Sequence, residues 1–169
     1  MNRHKVLQRV EDGDDVPARQ AAGGMPWGQS SHVVQQLWFS VIRHDWRTLA
    51  IVPIAPGRAA LEVANALGEV GGIHRRNPLV VFDALALELR GVAEMLQQLA
   101  DESRDSERSL VAMESPLANL CGVPVARAAD KVLLVIELGR ADLASARKVM
   151  ELIGPERIIG SVVLGGGAP

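Results

Sequence analysis

The chain has no tyrosine, a single cysteine, and so few aromatic residues that three tryptophans and two phenylalanines make up 3% of its 169 positions. Without tyrosine, no step can depend on phosphorylation of that residue type in this chain. Scarce aromatics, scattered arginines and a formal net charge of −2 leave neither the basic stripe nor the stacking platform by which nucleic acids are held, so no nucleic-acid partner is expected. Cys121 alone cannot form an internal disulfide and suits a reducing compartment. No apolar run approaches the ~20 residues of a transmembrane helix. The opening MNRHKVLQRVEDGDD also lacks an apolar core of signal-peptide length. A cytoplasmic protein with no integral membrane segment is the expectation.

What is present is apolar surface: 48% of residues are hydrophobic and 22% charged, enough for one respectable core. Residues Glu11 to Ser31 are rich in glycine, proline, acid and small polar side chains, and read as a linker, so residues 1–30 are expected to be a flexible extension and 31–169 a single α/β domain. Five short runs, TLAIVPI, PLVVFDA, SLVAME, KVLLVIEL and RIIGSVVL, are almost wholly apolar, as strands buried on both faces of a parallel sheet are. Helical patterns separate them at Ala59 to Glu69, Leu85 to Ala100, a short turn near Val125 to Ala129, and Asp142 to Ile153, the last capped by Asp142 and closed by Gly154-Pro155. Alternating strands and helices predict a doubly wound, mostly parallel five-stranded sheet flanked by helices.

Ahead of the first strand, SHVVQQLWFSVIRH sets Val33, Val34, Leu37, Trp38, Val41 and Ile42 at helical spacing, with Phe39 off the stripe and Ser31 as a cap. Two uses of this helix stand open. Its apolar face can cover the sheet, with Trp38 as core. Alternatively, Leu37, Trp38, Phe39, Val41 and Ile42 can dock on a protein partner or on a second copy of the chain.

The stretch IVPIAPGRAALEVANALG has the outline of a strand passing through a proline-glycine turn into a helix, as phosphate-binding loops do. It contains no lysine for phosphate oxygens and no serine or threonine for magnesium. Later, SLVAMESPLANL, AADKVLLVIEL and GSVVLGG follow in the order and spacing that resemble the MinD/ParA-type P-loop ATPases. Within them the likeness is to the cytoplasmic domain of the bacterial tyrosine kinases of capsule and exopolysaccharide export. PLVVFDALALELR resembles that family's second acidic strand, Asp-x-Asp-x-x-Arg. The resemblance spans roughly Trp46 to Gly165.

Aligning Pro56-Gly57 with the family's Pro-Gly sets Arg58-Ala59-Ala60-Leu61 in the place of x-Gly-Lys-Ser/Thr. Ala60 then replaces the phosphate lysine and Leu61 the magnesium hydroxyl. Asp83 matches the first carboxylate of the second acidic strand, Leu85 stands where the second belongs, and Glu114-Ser115-Pro116 stands for Asp-Thr-Pro. The interval from Asp83 to Ser109 is shorter than in the family. The tyrosine cluster is missing, and the N-terminal helix lacks the Glu and paired Arg of ring assembly. The resemblance therefore implies a pseudo-ATPase without nucleotide, metal or other cofactor and without catalytic residues, serving as a binding or regulatory component. Its degenerate loop is Gly57, Arg58, Ala60 and Leu61, its remnant acids are Asp83 and Glu114, and Arg58 is a candidate anion donor. A nucleotide-binding ATPase of the same class, and a small cell-division or DNA-damage regulator resembling SulA/RecA-type proteins, are the alternatives. Cys121 has no clear base partner, and His4, His32, His44 and His74 lack metal-ligand spacing.

Overall fold

A computed structural model describes residues 32–74, 79–104 and 108–165. The first helix, α1 (His32–Val41), leads into β1 (Thr48–Pro53), which is followed by α2 (Ala59–His74) and β2 (Val80–Ala84). A 3-10 turn at Leu89–Gly91 precedes α3 (Val92–Arg104), β3 (Ser109–Met113) and α4 (Gly122–Ala128). The described residues close with β4 (Lys131–Glu137), α5 (Leu143–Ile153) and β5 (Ile158–Leu164). All five apolar runs are strands. The extension expected over residues 1–30, with His4 and the Ser31 cap, lies outside the described residues.

The strands form one sheet in the order β2-β3-β1-β4-β5, and every pairing is parallel. Residues of β1 and β3 are buried throughout, because both strands lie inside the sheet with helices on either face. The edges depart from the expectation of double burial. β2 is only partly covered, and Gly160, Ser161 and Val163 of β5 are exposed, since an edge strand lies beyond the footprint of the helices.

Each face of the sheet has its own core. On one, Leu49, Ile51, Leu110 and Leu133 meet α1 and α2 through Val34, Trp38, Val63 and Leu67. On the other, Val52, Val111 and Leu134 meet Leu99 of α3, Val125 of α4, and Val149 and Ile153 of α5. Helix α1 therefore covers the sheet by packing on α2, and Trp38 is wholly buried. That closes half of the docking face read from the sequence. Trp38 and Val41 belong to the core, Leu37 and Ile42 pack against it, and Phe39 alone of the five is exposed, with its ring 5.1 Å from that of His74.

Two local features depart from the sequence reading. Helix α2 passes Glu69 and continues to His74, through Gly71, whose missing side chain makes room for Trp38 and Leu79. The helix expected from Leu85 begins instead at Val92, because Asp83 accepts the Leu85 N–H and Leu87 N–H turns back to the Ala84 carbonyl. At the other end α5 behaves as read: Asp142 is its cap, accepting the Ser145 N–H at 2.7 Å, and Gly154 ends it with φ of 102°.

Candidate functional site

In an open α/β sheet, ligands bind beyond the carboxyl ends of strands where successive connections leave for opposite faces. Here β1 is followed by α2, on one face, while its neighbours β3 and β4 are followed by α4 and α5, on the other. The switch therefore falls on both sides of β1. Three loops converge there: Ile54 to Arg58 after β1, Glu114 to Pro116 after β3, and Leu138 to Ala141 after β4.

The space is closed by the protein's own groups. Gly57, with φ of 143°, donates its N–H to Glu114 Oε1 at 3.0 Å, and Ser115 N–H reaches the same oxygen at 2.7 Å. Ser115, fully buried, donates its hydroxyl to the Ile54 carbonyl at 2.7 Å and so ties the ends of β1 and β3 together. From the other side Arg140 donates Nη2 to the Pro56 carbonyl at 2.6 Å and Nη1 to Glu137 Oε1 at 2.9 Å. A Cβ at Gly57 would lie 3.3 Å from Arg140 Nη1. An internal carboxylate thus takes an amide that a phosphate loop would offer to its ligand, and a guanidinium caps the loop from above.

The remaining sequence-predicted residues do not join this cluster. Ala60 is wholly buried in the core beneath α2, and Leu61 is partly buried against it, so both point into packing. Arg58 is exposed, and its carbonyl accepts the first helical N–H groups of α2, those of Leu61 and Glu62. Asp83 lies on β2, separated from β1 by β3, and its carboxylate is spent on the Leu85 amide. Cys121 precedes α4, and no group of three or more His, Cys, Asp or Glu capable of holding a metal exists among the described residues.

Arg140 and Glu137 went unnoticed in the sequence. Their only trace was an acid and an arginine three apart flanking a strand end, in ELGR, an ordinary surface pairing on its own. The long contact to Pro56 spans 84 positions and has no local signature. No helix among the described residues is long and apolar enough to cross a membrane.

The fold defines an α/β class with a five-stranded all-parallel sheet. No protein-family model matches this sequence, and no curated protein matches it.

Proposed function

We propose that this chain is a catalytically inactive, P-loop-like domain, a pseudo-ATPase that serves as a binding or regulatory component, with cell-surface polysaccharide synthesis or export as the setting its resemblance suggests. The observation that carries this reading is the internal closure of the loop after β1 by Glu114 and Arg140. A triphosphate entering there would have to displace the Glu114 carboxylate from Gly57, against like charge, and then find no ammonium, since Ala60 is core. Each charge-assisted phosphate contact forgone is worth about 1.5 to 3 kcal/mol, so losing several lowers affinity by orders of magnitude.

Calorimetric titration of the full chain with Mg-ATP tests this. No binding heat and no phosphate release are expected; micromolar affinity would overturn the reading.

A further inference from the structure

The carboxyl end of β1 carries more donors than the protein's own acceptors use. Two amides from different loops, those of Gly57 and Ser115, converge on the single oxygen Glu114 Oε1. Two more open α2. The Arg58 carbonyl takes the N–H groups of Leu61 and Glu62, while those of Ala59 and Ala60 find no acceptor among the described residues. The first N–H groups of a helix point back along its axis, here toward the loop that follows β1. Ala60 is wholly buried, and a buried amide without a partner is rare in a native fold unless an ordered water or a ligand reaches it.

Glu114 is not what ties these loops together. The Ser115 hydroxyl joins the end of β3 to the Ile54 carbonyl, and Arg140 joins the loop after β4 to the Pro56 carbonyl. The Glu114 carboxylate shares no ion pair among the described residues, and the two amides are its only partners there. It places negative charge before the amino end of a 16-residue helix, where the dipole favours an anion. On the other side of Gly57, Arg140 adds positive charge close enough that a Cβ at Gly57 would lie 3.3 Å from its Nη1.

We infer that Glu114 is the resident occupant of an oxyanion site, an autoinhibitory contact: with that side chain displaced, the amides of Gly57, Ala60 and Ser115 take a free oxyanion of the size of inorganic phosphate. The inference rests on the pseudo-ATPase reading and deepens it. With Ala60 in the core and Leu61 packed against it, the loop supplies neither an ammonium nor a hydroxyl, so what it retains suits one small anion rather than a metal-bound triphosphate.

Inorganic phosphate is the probe, added at constant ionic strength to the full chain, to Glu114→Ala and to Glu114→Gln, and followed by calorimetry and by amide NMR. Glu114→Ala leaves two donors without an acceptor and should bind phosphate about tenfold or more tighter than the parent. The resonances of Gly57, Ala60 and Ser115 should move together. Glu114→Gln keeps an acceptor in place without the charge, so its affinity should fall between those two, and it decides the matter alone should the alanine variant fail to fold. Variants that bind phosphate no better than the parent, or shifts confined to Arg58 and other exposed arginines, would overturn the inference and leave the pseudo-ATPase reading standing. Micromolar Mg-ATP binding by the parent would instead remove the reading on which the inference rests.

Discussion

Gly71 and Gly72 are neighbours in α2, and the fold assigns them opposite sensitivities. A methyl group on Gly71 would overlap Leu79 Cδ1 and lie 2.9 Å from both Cη2 and Cζ3 of Trp38. Neither neighbour has room to retreat, since Trp38 is wholly buried and Leu79 nearly so, in the seam where α1 and α2 meet the sheet. Overpacking of this kind costs about 1 to 3 kcal/mol. Replacing glycine by alanine within a helix returns up to about 1 kcal/mol. The same methyl on Gly72 meets no atom within 4 Å, so only the helix-propensity gain applies. The gain is common to both substitutions, and the difference between them isolates the steric cost. Urea titration should therefore show Gly71→Ala with a lower midpoint than the parent and Gly72→Ala with an equal or higher one, at unchanged slope. Separation between the two variants should be about 1 to 3 kcal/mol. Equal midpoints would mean that Trp38 yields, and the account of α1 as a packed cover would fail with it.

Adjacent positions on α1 should also part company: Trp38→Ala should lose about 3 to 5 kcal/mol in the same titration, Phe39→Ala less than about 1, because only Trp38 is enclosed. Ala60→Lys combined with Leu61→Ser, intended to rebuild a phosphate loop, should yield no ATP turnover and a much lower melting temperature, because the ammonium enters apolar core. Glu114→Gln should be milder than Glu114→Ala in thermal melts, since an amide oxygen can still accept the Gly57 and Ser115 amides. The Asp142 pKa is held below its ordinary value, chiefly by the Ser145 backbone N–H. Its contribution to α5 is therefore complete above the unfolded pKa and disappears as pH falls through the lower folded one. Asp142→Ala should lower the melting temperature at neutral pH and less so in acid, in a pH series of melts.

The sheet was legible because strands enclosed on both faces leave a strong local mark: VLLV and LAIV cannot be solvated, whatever their neighbours. Asp142 and Gly154 were legible for the same reason, since a cap acts within its own turn. Positions governed by distant contacts were not. Gly71 lies past Glu69, where the helical pattern read from the sequence ends, and only Trp38, in another helix, shows why a side chain is missing there. Ala60 reads as a degraded lysine position, yet the fold makes it a core residue with no free line to the loop. Arg140 meets Pro56 only because β4 lies beside β1, an adjacency set by strand order, which no stretch of sequence encodes by itself.

That strand order also governs how the chain must be made. Among the described residues β1 is the first strand to be synthesised, and it is the one at the centre of the sheet, flanked by β3 and β4. Its register partners begin at Ser109 and Lys131, the second arriving roughly 80 residues later, which at ~5 to 20 residues per second is a delay of roughly 4 to 16 s on the ribosome. For roughly the first 60 residues of that interval TLAIVP, which the finished fold buries along its whole length, has neither neighbour against which to pair, and until β4 follows it has β3 alone. The emerging chain must therefore shelter β1 by other means, beneath α1 and α2 or in the hands of a chaperone, and its yield depends as much on that wait as on the stability of the finished sheet.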